Sequence, residues 1–111
     1  MKIFYGSCDG RADVPGDAPA RANLDTALEV FRGMDQQSGF MGINLDERFV
    51  VQFATQKGGG IRVELLDTAG PRWEACVADP EFAESLIRAA AEGRDVFQIA
   101  RGSTYQWEHT S

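Results

Sequence analysis

Apolar and polar residues alternate along four consecutive stretches between residues 39 and 77. The apolar positions are Met41, Ile43 and Leu45, then Phe49, Val51 and Phe53, then Ile61, Val63 and Leu65, then Trp73, Ala75 and Val77. A period of two indicates β-strands in a sheet that buries one face. Because the intervening segments are short, the pattern predicts an antiparallel meander.

Segments with a helical period flank this meander. In residues 23–34 apolar side chains recur at intervals of three and four, and Asn23 can cap the first turn. A second helix is predicted to begin at Asp79, with Pro80 in its first turn, and to end at Gly93. Residues 2–6, 96–100 and 105–107 are predicted as short strands.

These elements predict one α+β domain over residues 1–111. Its antiparallel sheet has five to six strands, and the two α-helices pack on one face. The register follows from the requirement that apolar residues share a face. Ile43 is then expected to oppose Val51, and Val51 to oppose Val63. On the last strand pair, Leu65 is expected to oppose Trp73.

The opposite face of the predicted sheet mixes charged, polar and apolar side chains. This register places Glu64 directly opposite Glu74, and two adjacent carboxylates can share a proton, as acid–base catalysis requires. Arg62 and Arg72 lie diagonally nearby. A salt-bridged ladder on a solvated sheet face therefore explains the same four residues without a substrate.

The charge balance of the chain restricts its partners. With 17 acidic and 11 basic residues, the formal net charge is -6. Because phosphate binding requires a clustered basic surface, we do not expect a nucleic-acid partner. A basic protein partner suits this charge, although a net charge of this size also keeps proteins soluble. With no apolar run of ~20 residues, we expect no membrane span and a cytoplasmic location.

Few residues of the sequence point to catalysis or to metal binding. Cys8 and Cys76 are far apart and form no CxxC motif, and the single His109 cannot complete a zinc set with them. The aspartates that recur every fourth residue in the loop of residues 7–20 do not have the spacing of a calcium loop. We therefore expect no metal, no cofactor and no enzymatic activity.

The arrangement of one helix, a meander and a second capped helix resembles small immunity proteins of bacterial polymorphic toxin systems. The residues that carry the likeness are Gly39-Phe40-Met41-Gly42-Ile43, Asp46-Glu47-Arg48-Phe49-Val50-Val51-Gln52-Phe53 and Ile61-Arg62-Val63-Glu64-Leu65-Leu66-Asp67. The resemblance implies a single acidic, cytoplasmic, non-catalytic domain that sits on a cognate toxin and blocks its active site. It carries over no binding residue by position.

The candidate binding residues come from the outer sheet face and the C-terminal aromatic pair. They are Phe40, Gln52, Arg62, Glu64, Leu66, Asp67, Arg72, Glu74 and Trp107. The acidic members would contact basic groups at the toxin's substrate site, and Phe40, Leu66 and Trp107 would be buried anchors. Two other interpretations stay open. One is a small-molecule binder or minor hydrolase that uses this face, and the other is a structural homodimer.

Overall fold

Seven antiparallel strands and three helices make up the chain in a computed structural model that describes residues 1–70 and 72–109. The strands are β1 (Lys2–Gly6), β2 (Ala20–Arg21), β3 (Phe40–Asn44), β4 (Phe49–Thr55), β5 (Ile61–Asp67), β6 (Arg72–Ala78) and β7 (Glu108–His109). The helices are α1 (Leu24–Arg32), α2 (Pro80–Ala91) and α3 (Val96–Arg101). All strands belong to one sheet, in the order β2-β1-β3-β4-β5-β6-β7.

The α+β class and the antiparallel sheet are therefore confirmed, and the strand count is higher than predicted. The additional strands are the short ones at the two edges, since β2 and β7 have two residues each. Two residues are too few to display a period of two, so alternation could not reveal them. The strand predicted at residues 105–107 is wrong in position, because β7 begins at Glu108.

The two predicted helices begin where their capping residues place them. The side chain of Asn23 accepts a hydrogen bond from the backbone N–H of Thr26, and that of Asp79 accepts one from Phe82. These bonds satisfy amide groups that would otherwise lack a partner in the first turn. In α2, Pro80 occupies the first turn, where no intrahelical N–H is needed.

The strand predicted over residues 96–100 is wrong, because this segment forms α3. Its apolar residues fit both a strand and a helix, since intervals of three and four occur among them. Asp95 decides between the two, because its side chain accepts a hydrogen bond from the N–H of Gln98 and caps the helix. Gly102 then ends the helix. The capping aspartate was the signal that periodicity alone overlooked.

The hydrophobic core lies between the sheet and the helices. Val51, Phe53 and Val63 in the middle strands are 0% exposed. The ring of Phe31 in α1 meets the ring of Phe53 edge to face, with 5.8 Å between centroids. Leu86 in α2 is likewise fully buried. Along β3, β4 and β5, the helices therefore cover the sheet face that the sequence pattern predicts.

Strand pairing agrees with the predicted register in part of the sheet. Ile43 opposes Val51, as predicted. Between β4 and β5, however, Val51 opposes Leu65 and not Val63. This shift of two residues keeps the same side chains on the buried face, because side chains alternate with a period of two. It lets β4 continue to Thr55, which pairs with Ile61.

The register predicted between β5 and β6 is wrong by one residue. Because of this shift, every β6 side chain lies on the opposite face of the sheet from the one predicted. Leu66, and not Leu65, opposes Trp73. The small residue Cys76 therefore packs under the helices, whereas Val77 is 53% exposed on the opposite face. The sequence permits both registers, since apolar residues occur at odd and even positions of β6. The predicted pairing of Glu64 with Glu74 is replaced by Glu64 with Ala75.

Candidate functional site

The sheet face that the helices leave uncovered is the main candidate site, and we call it the outer face. We define it by the half-buried or exposed side chains Phe40, Val50, Gln52, Ala54, Arg62, Glu64, Leu66, Trp73 and Val77. All of them lie on β3 to β6, at strand positions that alternate with the buried core residues. Apolar and polar groups share this surface, as is common for protein interfaces taken as a whole.

Arg62, Glu64 and Trp73 form the centre of the outer face. The guanidinium carbon of Arg62 lies 5.5 Å from the centroid of the Trp73 ring. Because Arg62 opposes Val77 while Trp73 opposes Leu66, the arginine side chain must extend along the strand to reach the indole. Its Nε atom is 3.8 Å from Oε1 of Glu64. Trp73 was not among the predicted binding residues, because the predicted β6 register put it on the buried face.

The outer face brings together five of the nine predicted binding residues. They are Phe40, Gln52, Arg62, Glu64 and Leu66. Gln52 lies directly opposite Glu64 on the neighbouring strand. Phe40 is 42% exposed at the β3 side of this surface, where its ring covers Gly6 of β1.

Three other predicted residues, Asp67, Arg72 and Glu74, alternate with the outer-face positions and belong to the helix side of the sheet. The guanidinium of Arg48 donates two hydrogen bonds to Asp67, each 2.7 Å long. These bonds hold the pKa of the Asp67 carboxyl below its usual range. Arg101 of α3 donates to both carboxylate oxygens of Glu74. Both acids are therefore engaged within the chain.

The placement of Glu74 corrects a further expectation. Trp107 packs against the hydrophobic core, which the alternation of Tyr105 and Trp107 allows as readily as an exposed anchor. Glu64 and Glu74 lie on opposite faces of the sheet, so they cannot share a proton. The structure therefore removes the one arrangement in the sequence that suggested acid–base catalysis. The Nδ1 atom of His109 lies 3.9 Å from Oε2 of Glu74.

A groove on the helix side of the sheet is a second candidate site. It has a volume of about 1060 Å³ and lies between the β3–β4 turn and the α2–α3 corner. Phe49 and Phe97 line it, and their rings meet edge to face with 5.1 Å between centroids. The carboxylates at its rim, Asp46 and Asp95, accept hydrogen bonds from backbone amides. The groove thus combines an aromatic wall with charged side chains, among them Arg94 and Arg101.

Neither cysteine has the environment of a reactive thiol. Cys8 and Cys76 are both buried and unpaired. Burial raises the pKa of Cys76 to about 11, and burial with the nearby charge of Asp13 raises the pKa of Cys8. Within residues 1–70 and 72–109, no group of three or more His, Cys, Asp or Glu side chains is placed to hold a metal ion.

Comparison with protein-family models, with curated proteins and with solved structures finds no match to this chain. Among the helices that the structure describes, none is both long enough and apolar enough to cross a membrane. The function must therefore be argued from the surfaces themselves.

Proposed function

We propose that this chain is a non-catalytic protein-binding module, and specifically a cytoplasmic immunity protein that neutralises a cognate bacterial toxin. The outer face carries this proposal. Half-buried apolar side chains such as Leu66 surround a central arginine and tryptophan there. Arginine and tryptophan are among the residue types that contribute most of the binding energy at protein interfaces. A toxin bound to this face would be blocked by steric cover of its substrate site.

The net charge supports a basic protein as the partner. Within the outer face Arg62 and Glu64 balance each other, so the excess of acids behind the net charge of -6 lies elsewhere on the chain. Charge of this kind acts at long range and accelerates the approach of a basic protein. Because Asp67 and Glu74 are engaged by arginines, Glu64 is the predicted acidic contact that stays available to the toxin.

The dimensions of the outer face determine how much of the interface it can supply. β4 and β5 have seven residues each, which corresponds to about 23 Å at the usual rise of a strand. Four strands from β3 to β6 then offer roughly 400 Å², using a strand spacing of about 4.8 Å. A standard interface buries about 800 Å² on each partner. We therefore propose that loops beside the sheet also contact the toxin.

The test is co-expression of this chain in bacteria with the secreted protein encoded next to it. We expect rescue of growth and a one-to-one complex on size-exclusion chromatography. Leu66→Gln, on the outer face, should weaken rescue. The matched variant Leu24→Gln changes another half-buried leucine, on α1, and should leave rescue intact if the variant remains folded. Failure of the unmodified chain to rescue and to form a complex would overturn the proposal.

The groove between the β3–β4 turn and the α2–α3 corner favours a second candidate function, the binding of a small apolar molecule. A cavity of this volume with aromatic walls has the dimensions of ordinary ligand sites. Native mass spectrometry of the purified chain tests this function, since a bound molecule adds a defined mass. Phe97→Arg, which places a charge in the groove, should abolish that added mass. The same spectra report a homodimer, the remaining alternative.

A further inference from the structure

We infer that Arg62, held against Trp73, anchors the protein partner by binding one of its carboxylates at the centre of the outer face. This inference rests on the proposed function, because it takes the outer face as the binding surface. Beyond the proposed function, it identifies the chemical group of the partner, a carboxylate, that the centre of the outer face binds. The sequence pattern predicts Arg62 as a binding residue, but only as one member of a mixed, salt-bridged face.

Arg62 combines a largely covered side chain with an aromatic contact. The Arg62 side chain is 31% exposed, close to the 33% of Arg11, but Arg11 donates a hydrogen bond to Glu29. The aliphatic part of Arg62 runs along β5, and its guanidinium lies over the Trp73 ring. A cation–π contact of this kind limits the freedom of the guanidinium before any partner arrives. The ordering cost of binding is therefore partly met in the free protein.

Arg62 is also a donor group whose hydrogen bonds are not satisfied within the described chain. A guanidinium has five N–H donors. The nearest carboxylate oxygen, on Glu64, is 3.8 Å from Nε and so lies beyond hydrogen-bond distance. Arg48 and Arg32, in contrast, each donate two hydrogen bonds to a carboxylate of this chain. Arg62 thus lacks the bidentate hydrogen bond to a carboxylate that these two arginines make.

A carboxylate is the group that best completes this arrangement. Its two oxygens match the parallel N–H groups of a guanidinium, and the resulting pair is both strong and directional. Exclusion of water at the interface centre strengthens the attraction within the pair, and the hydrogen bonds of the pair offset the lost hydration of the two ions. The net charge of the chain governs how fast a basic partner approaches. The Arg62 contact instead governs how slowly the partner leaves.

The kinetic test uses the complex with the neighbouring secreted protein. Arg62→Lys keeps the charge and removes the planar fork, and Arg88→Lys is the matched control on the exposed surface of α2. We expect Arg62→Lys to raise the dissociation rate constant about tenfold or more, with the association rate constant changed less than about twofold. Arg88→Lys should change neither. An unchanged dissociation rate for Arg62→Lys overturns the inference, while the complex itself upholds the proposed function.

A second test needs no toxin and therefore separates the two proposals. The isolated chain is titrated with N-acetyl-aspartate methylamide, and the guanidinium Nε–H signals are followed by NMR. We expect the Arg62 signal to shift and saturate at lower ligand concentration than that of the exposed Arg88. Trp73→Leu should abolish this difference. Equal responses of Arg62 and Arg88 in the unmodified chain would overturn the anchor, whatever the co-expression experiment shows.

Discussion

Phe4 of β1 lies directly opposite Gly42 of β3, and its ring occupies the space that a side chain at Gly42 would need. A β-carbon built on Gly42 would lie 2.0 Å from Cζ of Phe4. The next pair on the same face of the sheet repeats the arrangement in reverse, since Phe40 covers Gly6. Each aromatic ring thus shields the backbone of a glycine on the neighbouring strand.

Gly42→Ala should therefore destabilise the protein, because the Phe4 ring must leave its place on the sheet. We expect a loss of about 1–3 kcal/mol in the free energy of unfolding, measured by urea denaturation. Gly70→Ala is the control, since no atom of the described residues beyond its chain neighbours lies within 4 Å of the added β-carbon. The double variant Phe4→Leu with Gly42→Ala should lose less than the sum of the single changes. Strict additivity would contradict this account.

Val51 and Val77 form a matched pair of strand valines, the first fully buried and the second 53% exposed. Val51→Ala should cost on the order of 1–3 kcal/mol, from lost burial and the cavity that remains. Val77→Ala should cost less than about 0.5 kcal/mol, as is usual for surface positions. Thermal and urea unfolding of both variants tests this difference. Equal losses would show that the β5–β6 register is wrong.

Asp46 in the β3–β4 turn should make stability depend on pH. The backbone N–H groups of Phe49 and Arg48 donate to its Oδ1, both at 2.7 Å, and hold its pKa below the usual value. The folded state therefore binds the proton less readily than the unfolded state. This stabilisation is complete above the ordinary aspartate pKa of about 3.9 and is lost as the pH falls through the lower, folded value.

Asp46→Asn is accordingly expected to destabilise the protein at neutral pH and to have a smaller effect in acid. Urea unfolding at neutral pH and at about pH 3 measures both differences. The control is Glu47→Gln, which removes an exposed carboxyl from the next position in the turn. A difference between the unmodified chain and Asp46→Asn that stays constant with pH would refute the prediction.

Cys76 should react slowly with alkylating reagents while the protein is folded. With a pKa of about 11, only about one thiol in a thousand is ionised at pH 8, and the side chain is buried as well. Cys8 should behave similarly, because burial also raises its pKa. Mass spectrometry after treatment with iodoacetamide should show little modification in buffer and complete modification in urea. Rapid labelling in buffer would show that the core opens readily.

Substitutions at Leu66 and at Trp107 are expected to have different effects, the first on partner binding and the second on protein stability. Leu66 lies on the outer face, so Leu66→Ala is expected to weaken toxin binding about tenfold with little change in stability. Trp107 packs against the core, so Trp107→Ala is expected to lower the melting temperature instead. Binding measured by calorimetry and melting measured by circular dichroism test the two variants. If the Trp107→Ala protein is as stable as the unmodified chain but no longer binds, Trp107 contacts the partner directly and the prediction is wrong.

Much of the fold could be predicted from local signals. The alternation along β3, β4 and β5 located these strands, and Asn23 and Asp79 located the starts of α1 and α2. These signals predict secondary structure because a helix cap or an alternation of apolar residues depends only on residues that are close together in the sequence. The outer face was predicted to the same extent, since the central strands supplied Gln52, Arg62 and Glu64 correctly.

What only the tertiary structure decided is the register of β6, whereas the helix of residues 96–101 had a local signal in the capping Asp95. Apolar residues stand at both odd and even positions of β6, so its own pattern allows either face to be buried. The contact of Glu74 with Arg101 of α3 belongs to the register that forms, and with it Trp73 comes to lie beneath Arg62. These contacts join residues far apart in the chain. The sequence determined which strands exist, whereas long-range packing determined which side chains meet, because a shift of one residue exchanges the two faces of a strand.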